Sequence, residues 1–279
     1  MMLRETAWAK INLALHVRRR LADGYHDIES LFAFARDGDA VSLAPSGDLT
    51  LAIEGPFAAG LDAGPDNLVL RAAEALRGAF GISDGAALRL VKNLPVAAGI
   101  GGGSADAAAA LRLLIRHWRI DPRDLRIAAI ASALGADVPA CLESRTLRGE
   151  GRGDAMAMLD EPELAEMPLL LVNPKIALAT GPVFAGWDGV DRGPLDGGPA
   201  LAAALAGRND LEPPAAALVP EIATLVDALQ ALEGVRLARM SGSGATCFAL
   251  FSDAAARARG TCVIRMRWPS YWCLETALK

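Results

Sequence analysis

The stretch Asn93-Leu94-Pro95-Val96-Ala97-Ala98-Gly99-Ile100-Gly101-Gly102-Gly103-Ser104-Ala105-Asp106 runs straight into Ala107-Ala108-Ala109-Ala110-Leu111. It is a glycine-rich loop feeding an alanine-rich helix. Glycines let backbone N–H groups close around phosphate oxygens with no Cβ in the way, and a helix start adds unpaired donors and the positive end of its dipole. The segment therefore predicts a cradle for the phosphates of a nucleotide. It is not a Walker A loop, because no Lys follows the glycines, and the Gly-x-Gly-x-x-Gly spacing fails at Ser104. A lone glycine cluster also suits a flexible linker before a helix, so the flanking sequence has to decide.

On the N-terminal side of the loop, residues 88–91 read as a strand, and a helix over about 67–80 places Val69, Ala73, Leu76 and Phe80 on one face. Short strands are expected at 40–44 and 49–53. On the C-terminal side, the helix that leaves the loop ends near Trp118, and Asp121-Pro122 supplies an N-cap and a first helical residue for the next helix, which stops at Gly135. The break Ala136-Asp137-Val138-Pro139 then holds a carboxylate between two helices. Asp137 suits a helix cap as well as a functional group.

From Thr6 to Val17 the pattern has period two, with Ala7, Ala9, Ile11, Leu13, Leu15 and Val17 on one face and Lys10, Asn12 and His16 on the other. One strand thus offers an ammonium and an amide side by side, although a strand lysine is more often a solvated edge charge. The turn Ala22-Asp23-Gly24-Tyr25-His26 puts an aromatic ring and an imidazole together at the strand exit, in a chain with 3 His.

A glycine-rich break at 149–153 and a mixed segment to Glu166 suggest a boundary near 150–166. The expected division is 1–155 as an ATP-binding and catalytic domain and 156–279 as a substrate-binding domain. Residues 169–172 read as a buried strand, Thr180 as the start of a capped helix, and 186–199 as a mobile loop rich in Gly and Asp. Helices are expected at 200–206 and 215–232, and a strand at 235–238. The loop Met240-Ser241-Gly242-Ser243-Gly244-Ala245-Thr246 follows, then a strand at 246–251, a helix into 262–266 and a closing strand near 271–277.

The chain has 279 residues, enough for one large domain or two ordinary ones, and a formal net charge of -5. That balance argues against a general nucleic-acid binder, which needs a basic face. Hydrophobic residues make up 52% of the chain, yet no apolar run approaches the roughly 18–20 residues of a membrane span. Arg4 and Glu5 interrupt any apolar leader. Cys141, Cys247, Cys262 and Cys273 show no metal-ligand spacing, so the expectation is a reduced cytoplasmic protein with no membrane partner.

The glycine loop, the early Ala9-Lys10-Ile11-Asn12 and the late Met240–Thr246 loop stand in an order and spacing that resemble the GHMP family of small-molecule kinases. Ala9–Leu13, Ala22–His26 and Gly135–Pro139 resemble the members that phosphorylate a cytidine diphosphate-linked sugar alcohol for isoprenoid synthesis. The resemblance covers nearly the whole chain and is weakest at 186–206 and after 253. It implies an α+β, two-domain fold, with an N-terminal domain like the second domain of ribosomal protein S5 and a ferredoxin-like C-terminal domain. The ribosomal likeness does not imply RNA binding, since function belongs to sites rather than folds.

The same resemblance implies roles residue by residue. Lys10 and Asp137 match the catalytic pair: Asp137 takes the proton of the accepting hydroxyl, and Lys10 keeps it ionised and offsets charge on the transferred phosphoryl group. Pro95, Val96, Ala97, Ala98, Gly99, Ile100, Gly101, Gly102, Gly103 and Ser104 match the phosphate loop, with ATP as the donor and Mg²⁺ carried by the nucleotide rather than by a protein-built cage. Tyr25, His26 and Phe184 match the cytidine pocket. Asn12, Thr180, Gly242 and Ser243 match positions lining the substrate cleft. The expected partner is a small cytidine diphosphate-linked molecule, with the protein a monomer or weak homodimer. Ala97, Ala98 and Ala105 depart from the Gly or Ser usual there, and the resemblance assigns no role to Arg148 or Arg152.

Overall fold

The structure, a computed structural model, describes residues 2–151, 153 and 155–279. It begins with β1 (Leu3–Arg20) and β2 (His26–Ser46), paired through the turn at 21–25. There follow β3 (Leu49–Glu54), α1 (Leu68–Phe80), β4 (Gly85–Val91), α2 (Gly102–His117), α3 (Leu125–Leu134) and α4 (Val138–Glu143). The C-terminal half contains β5 (Leu147–Gly151), β6 (Ala155–Met158), β7 (Pro168–Asn173), α5 (Thr180–Ala185), α6 (Ala200–Ala206), α7 (Glu212–Leu218) and α8 (Glu221–Gln230). It closes with β8 (Val235–Met240), β9 (Cys247–Phe251), α9 (Ala254–Arg267) and β10 (Trp272–Ala277). Two compact units result. One holds Met1–Ala9, Asp37–Val96 and Gly101–Ser144; the other holds Lys10–Arg36, Ala97–Ile100 and Arg145–Lys279. Because β1 and β2 are so long, each contributes to both.

In the first unit β4 lies parallel to β3 and antiparallel to the C-terminal part of β2, with Leu88 opposite both Leu51 and Leu43. Asn67 caps α1 by accepting from the Val69 N–H at 2.9 Å, and Gly81 ends it in the left-handed conformation at φ 62°. The side chains of Val69, Ala72, Ala73 and Leu76 form its buried face. Along α2 the run Ala107–Leu111 is fully buried, because alanine lets neighbouring elements approach closely. Arg112 of α2 donates to the carbonyls of Thr6 and Cys141 and pairs with Glu5. The next helix starts later than Asp121-Pro122 predicts. The Asp121 carboxylate accepts from the Arg123 N–H in a local turn, and Asp124 is the cap, accepting from the Arg126 N–H at 2.9 Å.

In the second unit β10, β7, β9 and β8 form an antiparallel sheet in that order. The buried run Leu169–Val172 of β7 reads as continuous apolar sequence because both faces are covered. Leu170, Val172, Ala249 and Phe251 pack with Ile222, Leu225 and Leu229 of α8 and Ile264 of α9. Full burial of each such large side chain contributes about 1.5–3 kcal/mol.

Several sequence expectations change here. The helix expected over 215–232 is two helices, because Pro220 disfavours helical geometry at Val219, which sits at φ -135° and ψ 87°. The second strand extends far beyond 40–44, since residues 30–35 are buried on both faces and hide the alternation. Glycines near 149–153 belong to a hairpin rather than a linker: a Cβ on Gly149 would lie 2.6 Å from the Phe32 ring. The segment 186–199 has no regular structure but is tied down. Arg148 donates to the Leu195 and Asp196 carbonyls, Glu29 accepts from the Leu195 N–H at 2.8 Å, and Arg18 pairs with Asp191. This gives Arg148 a structural role; Arg152 lies outside the described residues. Among the described residues, no helix is long and apolar enough to cross a membrane.

Candidate active site

Lys10 and Asn12 lie on β1 and are only 4% and 2% exposed. The Lys10 ammonium donates to Asn12 Oδ1 at 3.0 Å and sits 4.9 Å from the centre of the Phe32 ring. Burying an ammonium costs several kcal/mol unless polar partners replace water. A solvated edge lysine is therefore not what the strand carries. Asn12 donates through Nδ2 to Ser30 Oγ at 2.7 Å, and that hydroxyl donates to the Ala14 carbonyl at 2.8 Å, which fixes the amide's orientation.

The middle of the glycine loop is held in the same unit. Lys10 N–H donates to the Ile100 carbonyl at 3.0 Å and Thr246 N–H to the Ala98 carbonyl at 3.1 Å. Ser241 Oγ donates to the Gly99 carbonyl at 3.0 Å and accepts from the Asn12 N–H at 3.2 Å. Gly99 adopts φ +73°, and a Cβ there would lie 2.5 Å from the Ser241 carbonyl oxygen. Gly242 is its counterpart at φ +55°, with a Cβ position 2.9 Å from the Gly99 oxygen and 3.2 Å from Asn12 Oδ1. Only glycines allow the two loops to meet this closely. Ala97 takes φ 52° despite its Cβ, at a cost of about 1–2 kcal/mol.

Helix α5 carries two more of the expected residues on one face, four positions apart. The Thr180 hydroxyl lies 3.0 Å from that of Ser243, and the Phe184 ring centre lies 4.9 Å from that of His26, tilted by 37°. Trp187 meets His26 edge-on at 5.8 Å. Burial, and then the positive charge of Arg20, lower the His26 pKa, so the imidazole is neutral near pH 7. Its Nε2 accepts from Arg20 Nε at 3.4 Å, which leaves the hydrogen on Nδ1. Tyr25 is 57% exposed, next to His26, at a turn where its N–H donates to Asp23 Oδ1.

The first unit holds the two ends of the loop, Pro95-Val96 and Gly101–Ser104. Gly101 precedes α2 in the left-handed conformation, and Gly103 in the first turn is exposed. The N–H groups of that turn have no preceding helical carbonyl to bond, so they are suited to anions. Below them lies a buried triad. The Lys92 ammonium pairs with Asp39 and, at 2.7 Å, with Asp106, while Asp39 also accepts from the N–H groups of Asn93 and Leu94 at 2.5 and 2.8 Å. Asp137 is the half-buried N-cap residue of α4, but its side chain makes no cap hydrogen bond, so helix capping does not account for its carboxylate.

Residues 67–145 match the family described as GHMP kinases N terminal domain, and residues 197–262 match GHMP kinases C terminal. A 4-diphosphocytidyl-2-C-methyl-D-erythritol kinase of Rhizorhabdus wittichii is 57% identical over 99% of this chain and 94% of its own. The chain is a GHMP kinase. A second relative of the same name, from Sphingopyxis alaskensis, is 52% identical over 99% of both chains. A crystal structure of 4-(cytidine 5'-diphospho)-2C-methyl-D-erythritol kinase superposes with a TM-score of 0.78 at 32% identity, covering 99% of both chains. This agreement extends to the two-domain fold of mixed helix and strand that the motifs imply.

In this GHMP kinase the second unit brings Lys10, Asn12, Gly99 and Gly242 into one network, Thr180 against Ser243, and His26 against Phe184. Sequence reasoning missed Ser30, Phe32, Trp187 and Ser241. Ser241 sits in a loop already singled out, between Met240 and Gly242, and a hydroxyl there was a legible signal. Ser30 and Phe32 share a face of β2, but continuous burial of that stretch hides the period. A buried ammonium beside an amide, glycine-lined backbone and a ring pair are groups suited to aligning a phosphorylated ligand and stabilising charge on it.

Proposed function

We propose that this kinase transfers the γ-phosphoryl group of ATP to the C2 hydroxyl of 4-diphosphocytidyl-2-C-methyl-D-erythritol, in the non-mevalonate route to isoprenoid precursors. The observation that carries this reading is the His26–Phe184 ring pair, in the unit that also holds the buried Lys10–Asn12 pair. A pyrimidine offers faces to stack and an edge to read, which homoserine, mevalonate and simple sugars lack. The relatives at 57% and 52% identity support the same acceptor.

In this proposal Tyr25 and Phe184 sandwich the cytosine, each stack contributing about 1–3 kcal/mol. The Nδ1–H of neutral His26 donates to cytosine N3, a position that carries hydrogen in uracil, so uridine analogues are rejected. Asn12, Thr180, Gly242 and Ser243 line the acceptor site, and the loop 95–104 holds the triphosphate through backbone N–H groups after Pro95, which has none to give. Among the described residues, no group of three His, Cys, Asp or Glu side chains is placed to hold a metal ion. In the same proposal Mg²⁺ arrives with the nucleotide, held by its phosphates, with the Ser104 hydroxyl as a further contact.

An alcohol is a weak nucleophile at neutral pH. Asp137 accepts the C2 hydroxyl proton as the oxygen bonds to the γ-phosphorus, and the bond from that phosphorus to the β,γ-bridging oxygen breaks to release ADP. The Lys10 ammonium offsets the charge spreading over the transferred group. Asp137→Asn is expected to lower kcat about 10²–10⁴-fold, and Lys10→Ala about 10²–10³-fold, with unchanged circular dichroism. Wild-type turnover in either folded variant contradicts the assignment.

A further inference from the structure

Asn209 is buried, at 6% exposure, in the connection between α6 and α7. Both hydrogens of its Nδ2 are spent on the Met240–Thr246 loop. They donate to the carbonyls of Met240 and Gly242, each at 2.8 Å, on either side of Ser241. Its Oδ1 accepts from the Leu211 N–H at 3.0 Å. The opposite amide orientation would set an oxygen against two carbonyl oxygens and NH₂ against an N–H, so the network admits one arrangement.

The neighbours of Asn209 anchor it in turn. Leu15 N–H donates to the Arg208 carbonyl at 2.8 Å, Asp210 N–H to the Leu15 carbonyl at 2.9 Å, and Val17 N–H to Asp210 Oδ2 at 2.8 Å. Segment 208–210 is thereby stitched to β1, the strand that carries Lys10 and Asn12. Glu212 adds a third hold on the loop by accepting from the Met240 N–H at 2.8 Å. The loop so gripped presents Ser241 to Gly99 and Asn12, Gly242 where an added Cβ would crowd both, and Ser243 to Thr180.

We propose that Asn209 is a positioning residue for phosphoryl transfer: its amide clamps the carbonyls of Met240 and Gly242 and so sets Ser241, Gly242 and Ser243 against the glycine loop and the acceptor. This rests on the kinase reading above. The amide of Asn209 is spent on Met240, Gly242 and Leu211. Its effect passes through the backbone of 240–243, where a misplacement of about 1 Å can cost about 10²-fold in rate.

Asn209→Asp keeps the shape and the acceptor for Leu211 but replaces two donors with an oxygen facing two carbonyls; Asn209→Ala removes the clamp without repulsion. The test measures kcat and both KM values per folded molecule, together with amide hydrogen exchange at 241–244 in the substrate-free enzyme. In the folded variants kcat is expected to fall about 100-fold while the KM for MgATP moves less than about 5-fold, and any rise in the acceptor KM stays smaller than the fall in kcat, because alignment is lost before binding is. Exchange at 241–244 should accelerate about 10-fold or more, from the loss of two buried hydrogen bonds. Unchanged exchange, or kcat within about 3-fold of wild type, overturns the proposal, as does failure of both variants to fold, which would make the amide purely structural. Wild-type enzyme that leaves the acceptor unphosphorylated refutes the kinase reading instead, and the exchange measurement still judges Asn209.

Discussion

Lys10 and Phe184 show how differently single residues announce themselves. Lys10 is one of several charges in an alternating strand, and only its burial beside Asn12 sets it apart from an edge lysine. Phe184 looks like a core residue, yet it is half-buried and leans on His26. If it stacks the base, Phe184→Ala should raise KM for the cytidine diphosphate acceptor about 5–100-fold, equivalent to about 1–3 kcal/mol, and leave KM for MgATP alone. Initial-rate kinetics with each substrate varied decide the matter, and an equal rise in both KM values would assign the ring to packing. At this scale the sequence was legible wherever a residue type is rare for its pattern: a lysine and an asparagine in a buried strand, a histidine at a turn. It was opaque for partners that meet only through folding, such as Asn12 with Ser241 or Asn209 with Met240, because period and spacing say nothing about contacts across more than 200 or 30 residues.

The glycine loop and the helix it feeds are joined by a buried ion cluster. Asp39 on β2, Lys92 after β4 and Asp106 within α2 tie the loop's entry to the helix at its exit. Burial would lower the Lys92 pKa, but the Asp106 and Asp39 charges outweigh it and hold the ammonium above its usual range. For Asp106, burial dominates and the Asp39 charge adds to it against the opposing Lys92, so its carboxyl is pushed up to about 7. Between the ordinary carboxylate value and about 7 the folded state therefore binds a proton that the unfolded chain has released. The stability this group contributes is fully present at low pH and is lost as pH rises through about 7. Asp106→Asn removes the titration, so the variant should gain stability relative to wild type as pH goes from 5 to 8, measured by urea unfolding. A difference independent of pH would contradict the raised value. Elements with clean periods or caps were predictable, as for α1 and the strand at β1. Those decided by a proline, a shared cap or two buried faces, such as α7 with α8, α3 and β2, were not.

Across the whole molecule, the order of short motifs carried more information than composition. A net charge of -5 and 279 residues fit many globular enzymes, whereas a glycine loop, an early strand lysine and a late serine-glycine loop in sequence identify the GHMP kinases. Those motifs are legible because backbone approach to phosphate tolerates few residue types. The anchors of the irregular segment 186–199, Arg18, Glu29 and Arg148, are invisible in its own composition because they lie far away in sequence. Phosphorus NMR identifies the acceptor directly when purified protein is incubated with MgATP and 4-diphosphocytidyl-2-C-methyl-D-erythritol, beside parallel incubations with homoserine and mevalonate. The expected result is a new phosphomonoester on the cytidine diphosphate alcohol with its diphosphate intact and no product from the other two. ATP-dependent phosphorylation of homoserine or mevalonate, with the cytidine diphosphate alcohol unchanged, would contradict it.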